Sequence, residues 1–189
     1  MDAANKYDKN CEGCKFSQGL SKPQGGIVVT LDDYWVLNHY GGSEGFLGWL
    51  ALQPRYHKME LSQLKEEEAR SIGPHVQQIE STLRNYWSRQ FSDDPIERLY
   101  IVYFFESAFE SDFSRKSNPY YHLHIHLIPR TKKLGGGIPW QRAAWGTAKL
   151  VEQDWFPPEY QTKDKAGVEK ARNLMEFLEE GLTPRATPA

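Results

Sequence analysis

Residues 119–131 read PYYHLHIHLIPRT. Three of the chain's six histidines fall here, His122, His124 and His126, alternating with Leu123, Ile125 and Leu127. Successive side chains of a β-strand point to opposite faces. An extended chain therefore puts three imidazoles on one face and three aliphatics on the other. The aliphatic face suits a sheet packed on a core. The imidazole face needs another account, because buried polar groups are costly unless something pairs with them. The pattern predicts a strand over 121–128.

Working outward, RLYIVYFF (98–105) reads as a strand, followed by a polar loop over 106–118. IVVTL (27–31) and YWVLN (34–38), separated by Asp32-Asp33, read as a hairpin. FLGWLALQ (46–53) reads as a further strand, closed by Pro54. From Ser62 to about Arg89 the period becomes helical, with Leu61, Leu64, Ile72, Val76, Ile79 and Leu83 as the apolar stripe. Gly73-Pro74 predicts a kink or break in it, KEEEAR (65–70) a solvated face, and SDDP (92–95) a turn. After Arg130 the texture turns rich in Gly, Pro and Trp, and 132–163 reads as irregular structure wrapped over the domain. Residues 164–180 predict a terminal helix with Val168, Ala171, Leu174, Met175 and Leu178 on one face and Gly181 as C-cap. TPRATPA (183–189) predicts a disordered tail. The sum is an α+β fold: about five mainly antiparallel strands with helices packed against one face. The division is a domain over 1–131 and an extension over 132–189 packed on the same domain.

A chain of 189 residues is long enough to bury about 70% of its unfolded surface in one core. Hydrophobic residues at 39% and charged residues at 25% are those of an ordinary globular protein. A net charge of -2 supplies no electrostatic reason to expect nucleic acid as the main partner. No apolar run approaches the ~20 residues of a membrane span, and MDAANKYDKN at the start is not an apolar signal segment. The expectation is a cytoplasmic protein without a membrane partner. The two cysteines, Cys11 and Cys14, cannot build a disulfide framework.

Aligned imidazoles suit two ligands. A metal accepts histidines from alternate strand positions. A phosphate accepts hydrogen bonds from imidazole, and one imidazole can attack phosphorus as a nucleophile. Cys11 and Cys14 at C-x-x-C spacing are half of a tetrahedral metal site and need two further ligands. The redox reading of C-x-x-C calls for a strand–helix setting that residues 1–26 do not show.

His122-Leu-His124-Ile-His126-Leu-Ile128, followed by Pro129-Arg130, resembles the signature of the histidine-triad (HIT) family. NCEGCKF (10–16) is similar to the N-terminal C-x-x-C of its zinc-containing members. GWLALQPRYHKMELSQL (48–64) is similar to the family's strand, proline, basic residue and histidine leading into a long helix. The resemblance spans about 10–131. It implies a HIT-like α+β fold, usually a homodimer, acting on a nucleotide. His124 would be the nucleophile that attacks the α-phosphorus and forms a nucleotidyl-histidine, resolved by water or another acceptor. His126 would hydrogen-bond the reacting phosphate. Cys11, Cys14, His57 and His122 would hold a structural zinc, the ion that two thiolates with two imidazoles favour.

The chain departs from the family at two support positions. Many members carry Gly-Gln-Ser/Thr ahead of the triad, where this chain has Ser117-Asn118-Pro119. Asn118 is the candidate replacement for the glutamine's contact with substrate, whereas Pro119 offers neither hydroxyl nor amide hydrogen. Many members have a histidine after the glycine that aligns with Gly48, and here Trp49 stands there. These changes bear on efficiency and on the leaving group accepted. Two other readings stay open: a nucleotide-binding module with little or no turnover, and a catalytic metal held by the three histidines. Arg130, Lys132 and Lys133 before Gly135-Gly136-Gly137 are a basic arm over phosphate or a solvated turn. Trp140, Trp145 and Trp155 stack a base or anchor the irregular segment. His39 and His75 read as surface or core residues. Ser107, Ser111 and Ser114 lack a nucleophile-elbow setting.

Overall fold

The computed structural model describes residues 6–41, 46–103, 121–135 and 157–183. In chain order the elements are α1 (Glu12–Ser17), β1 (Val28–Thr30), β2 (Trp35–His39), β3 (Leu50–Pro54), α2 (Glu66–Gln90), β4 (Arg98–Val102), β5 (Ile125–Arg130), α3 (Lys132–Gly135) and α4 (Lys165–Leu182). The five strands form one antiparallel sheet in the order β1-β2-β3-β5-β4. The α+β expectation holds. The hairpin holds too: Asp32 Oδ1 accepts the amides of Tyr34 and Trp35, each at 2.7 Å, which closes the turn between β1 and β2.

Register places the site. Leu37 pairs with Leu52 and Leu52 with Ile125, while Asn38 pairs with Ala51 and Ala51 with His126. Paired residues share a face. Leu37, Leu50, Leu52, Ile125 and Leu127 therefore enter the core, where Ile79, Leu83 and Trp87 of α2 and Leu174, Met175 and Leu178 of α4 meet them. Each buried leucine contributes about 1.5–3 kcal/mol. Asn38, Ala51 and His126 turn to the opposite face.

The structure moves several boundaries. The triad strand starts at Ile125 rather than 121 and continues to Arg130. β3 pairs with β5 only as far as Leu127, so Pro129, which lacks an amide hydrogen, sits beyond that ladder. The strand expected over 46–53 begins at Leu50. Gly48 turns the chain with φ +86°, and a Cβ there would stand 2.8 Å from Trp87 and 2.9 Å from Pro129. Of the strand expected over 98–105, Arg98–Val102 pairs, and 104–105 lie outside the described residues, as do the 106–118 loop and the tail from 184.

Helix α2 begins at Glu66, after a single 3₁₀ turn at Leu61–Gln63, and is unbroken at Gly73-Pro74. Both residues and Arg70, whose carbonyl loses its partner to proline, are exposed to water. KEEEAR is only partly a solvated face. Glu68 is fully buried, accepts the Lys65 amide at 2.6 Å and pairs with buried Lys58 at 3.5 Å. Helix α4 runs past Gly181, which is therefore not a C-cap; a Cβ there would meet Thr82 of α2 at 2.7 Å.

The stretch expected to be irregular after Arg130 contains α3 and a 3₁₀ turn at Pro158–Tyr160. Tyr160 is buried, stacks on Trp87 with ring centroids 5.3 Å apart, and accepts the Leu47 amide at 2.8 Å. Its hydroxyl donates to Asp94 Oδ2 at 2.6 Å, beside the Thr131 hydroxyl at 2.5 Å, while the Lys133 amide donates to Oδ1 at 3.2 Å. Burial opposes the charge on Asp94, but these hydrogen bonds outweigh it and hold the carboxyl below its usual pKa. A depressed folded pKa gives stability that is complete above the unfolded value of about 3.9 and is lost as pH falls through the lower folded one. Between about pH 5 and pH 2 the urea midpoint of wild type should fall more steeply than that of Asp94→Asn. Equal acid slopes would remove this role from Asp94.

Candidate active site and metal centre

Cys11 caps the start of α1, and Cys14 lies one turn on. Their sulfurs face two imidazoles. Cys11 Sγ is 3.2 Å and Cys14 Sγ 3.6 Å from His122 Nδ1, and Cys14 Sγ is 3.6 Å from His57 Nδ1. The ligand atoms of Cys11, Cys14, His57 and His122 all lie within 4.8 Å of one another. A tetrahedral ion with sulfur at ~2.3 Å and nitrogen at ~2.0–2.1 Å has S–N edges of about 3.6 Å, so the cluster has the dimensions of a metal site.

Gly13 makes this approach possible. A Cβ at Gly13 would stand 2.5 Å from Cγ of His122, inside the imidazole. The Gly13 carbonyl accepts Gln53 Nε2 at 2.9 Å, which fixes α1 on the sheet face opposite the core. The Cys14 hydrogen bond and the two imidazoles favour a thiolate on Cys11 against the cost of its burial. The hydrogen bond to Cys11, followed by burial, pushes the Cys14 thiol up. One negative charge is stable among these groups alone. A cation held between the four ligand atoms would stabilise the second.

The triad histidines differ in which nitrogen carries a proton, and their partners decide it. A backbone carbonyl only accepts. His122 Nε2 is 2.8 Å from the Pro54 oxygen, so Nε2–H donates there and Nδ1 is the nitrogen that faces the cysteines. His124 Nδ1 is 2.7 Å from the His122 oxygen, so Nδ1–H donates and Nε2 keeps the lone pair. An indole N–H only donates. Trp49 Nε1 is 2.9 Å from His126 Nδ1, so His126 accepts there and carries its proton on Nε2. The rings of His124 and His126 are 4.6 Å apart and nearly perpendicular. One ring therefore carries a lone pair and its neighbour an N–H on the corresponding nitrogen. Burial lowers the pKa of both, that of His126 to about 3, so both rings are neutral near pH 7.

Tyr40 borders this pair. Its ring lies edge-on to His126 at 4.7 Å and stacks on Trp49 at 4.7 Å. Beyond Tyr40 a cleft of about 470 Å³ opens, lined also by Phe16, Lys22, Gln24 and Asn38. Asn38 Oδ1 is buried with no hydrogen-bond partner among the described residues.

The structure thus gathers Cys11, Cys14, His57 and His122 into one cluster and His124 and His126 into an adjacent one. Asn118, with Ser117 and Pro119, lies outside the described residues, as do Trp140, Trp145, Trp155, Gly136-Gly137 and the three serines. Lys133 pairs with Asp93 at 3.0 Å and Glu159 at 3.4 Å, and Arg130 Nη1 donates to the Tyr100 hydroxyl at 3.1 Å, which favours the solvated turn over a basic arm. His39 is a core residue, fully buried, with its pKa lowered by burial to about 4. His75 bonds Asp32 at 2.6 Å. Sequence reading missed Gly13, Tyr40 and the Trp49 donor. The glycine between the two cysteines was a readable sign of close packing. The indole contact, between residues 77 positions apart, was not.

The purified chain is expected to carry about one divalent ion, lost in Cys11→Ser and weakened in Gly13→Ala but retained in His124→Ala. Elemental analysis after dialysis reads this out. Retention in Cys11→Ser with loss in His124→Ala would instead place the ion on the triad.

No family model matches the sequence, and no curated protein matches it. Solved structures do. A Hit-like protein involved in cell-cycle regulation from Bartonella henselae is 18% identical over 89% of this chain and 98% of its own, with a TM-score of 0.47. A HIT family protein from Bacillus anthracis is 21% identical over 76% of this chain and 99% of its own, with a TM-score of 0.45. A hypothetical protein from Leishmania major is 16% identical over 64% of this chain and 73% of its own, with a TM-score of 0.42.

Proposed function

We propose that the chain is a zinc-containing HIT-like enzyme, a nucleotide hydrolase or nucleotidyl transferase that acts at the α-phosphate through a nucleotidyl-histidine on His124. The observation that carries this reading is the pair of neighbouring imidazoles with opposite tautomers. Nε2 of His124 attacks the α-phosphorus, and the bond from phosphorus to the leaving group breaks, that group departing with the electron pair. The imidazole becomes positive, and the carbonyl of His122, already bonded to Nδ1–H, accepts a stronger, charge-assisted hydrogen bond. Nε2–H of His126 donates to a phosphate oxygen as charge builds there. Water or another hydroxyl acceptor then attacks phosphorus, its proton passing to the departed leaving group or to solvent, the phosphorus–nitrogen bond breaks, and His124 regains its lone pair.

The cleft beyond Tyr40 has the volume of a small-molecule site and would hold the nucleoside, with Asn118 as a further substrate contact. Zinc, which two thiolates and two imidazoles favour, would be held by Cys11, Cys14, His57 and His122. A site closed by four protein ligands supplies structural tethering rather than an open position for substrate. The homodimer belongs to the same reading. β4 is one of the two outer strands of the sheet, and its Ile101 is 54% exposed, the kind of edge a second copy can cover. Among the described residues no helix is long and apolar enough to cross a membrane.

Intact-protein mass spectrometry after brief mixing with adenine and guanine nucleotides, quenched in alkali because the phosphorus–nitrogen bond is acid-labile, tests the chemistry. A mononucleotide-sized adduct is expected on wild type and absent in His124→Ala. Nucleotide binding without adduct or product would make the chain a binding module. For the dimer, sedimentation should give twice the chain mass for wild type and a single-chain mass for Ile101→Lys; an unchanged mass would move the interface elsewhere.

A further inference from the structure

One of the two positions that depart from the expected support groups, Trp49, contacts the last triad histidine. Trp49 and His126 are 4% and 3% exposed, so water does not compete for their hydrogen bond. The indole itself is held from several sides. Its backbone amide donates to the Phe46 carbonyl at 3.0 Å and its carbonyl accepts the Tyr40 amide at 2.8 Å. Its ring packs on Tyr40 at 4.7 Å and Phe46 at 5.5 Å. The Gly48 turn before it cannot take a Cβ without striking Trp87 and Pro129. The direction of the N–H is therefore set by the fold before any ligand arrives.

Tryptophan differs from a histidine or serine at this place in one respect. It has a single donor, no acceptor and no titration near neutral pH. A histidine or hydroxyl can reverse the sense of the bond and let His126 change tautomer. The indole cannot. Whenever it holds His126 Nδ1, the neutral imidazole carries its proton on Nε2.

We propose that Trp49 is a positioning residue, whose indole N–H locks His126 as the Nε2–H tautomer and so presents a neutral donor to the phosphate oxygen beside the His124 lone pair. This rests on the reading of His124 and His126 given under Proposed function. It assigns the tryptophan a role in place of a lost support group: the lone pair and the N–H stay on different rings, so His126 cannot compete as nucleophile. A transition state that gathers negative charge on phosphate oxygen meets a donor already aimed, with no reorganisation at the moment of reaction.

The test has two parts. The first is the ¹⁵N–¹H imidazole spectrum of metal-loaded wild type, with His126 assigned by its loss in His126→Gln. The Nε2–H pattern is expected, and an Nδ1–H or mixed pattern would overturn the proposal without any variant of Trp49. The second is Trp49→Phe, which keeps a ring and removes the donor. Its His126 spectrum should shift toward a mixture of tautomers, and the rate of adduct formation should fall by about tenfold or more, the scale on which partners that orient a working imidazole act. An unchanged tautomer or an unchanged rate in a folded Trp49→Phe would overturn it. If wild type forms no adduct with any nucleotide, the enzymatic reading fails and the proposal with it. An adduct on wild type with an indifferent Trp49→Phe sinks only the proposal.

Discussion

Two hydrogen bonds tie residues 122 and 123 to the end of β3 and the residues after it before the β5 ladder begins, and the site depends on them. The Leu123 amide donates to the Lys58 carbonyl at 2.7 Å, and His122 Nε2 donates to the Pro54 carbonyl at 2.8 Å. Both acceptors belong to the segment that leaves β3 and delivers His57. Without them the triad would enter β5 from an undefined direction. With them, His122 faces the cysteines, and the chain reverses side at each residue, so that Leu123 returns to the interior and His124 comes back to the open face. The Lys58 carbonyl is itself placed by the buried pair of its side chain with Glu68, which caps α2. One carboxylate in the first turn of a helix thus supports the segment that leads into β5.

The electrostatics of the site come from burial and directed dipoles rather than from charge. His124 and His126 are held neutral by desolvation, and carbonyl or indole partners set their proton positions. Neutral imidazoles in a shielded site are good nucleophiles and good neutral donors, and they develop charge only as a reaction demands it. The neighbouring cysteines are different: the cluster favours a thiolate on Cys11 and pushes the Cys14 thiol up, so the two groups of side chains are electrostatically distinct although His122 and His124 are two residues apart. The chain's far ends meet across this frame. Tyr160 and α4 from the C-terminal part enter the same core as α2 and the strands, and Asp94 ties the 92–95 turn to Thr131 and Tyr160.

Much of the architecture was legible in local pattern. Alternation in 122–127 foretold which side chains enter the core, and the Asp32-Asp33 turn between β-branched runs foretold the hairpin. Legibility failed where a contact distant in sequence overrode a local preference. Gly48 delays β3 because Trp87 and Pro129 press against it. Gly181 stays helical because Thr82 lies against it. Pro74 does not break α2 because that turn faces water, which can hydrate the carbonyl left free. Glu68 looks like its exposed neighbours Glu66 and Glu67 until helical phase and Lys58 bring it inside.

At the site, the sequence by itself determined the cast: which residue types stand at alternate positions, and that two thiols at C-x-x-C spacing make half of a metal site, with His57 and His122 supplied by the resemblance alone. Spacing carries that much because strand period and tetrahedral ligand sets are local or stoichiometric facts. Only the tertiary structure decided the proton map. Whether a nitrogen of His122, His124 or His126 holds a proton follows from its partner, and the partners are the carbonyl oxygens of Pro54 and His122 and the indole of Trp49. Two of those three lie more than sixty residues away, and no local period encodes a hydrogen bond across a sheet.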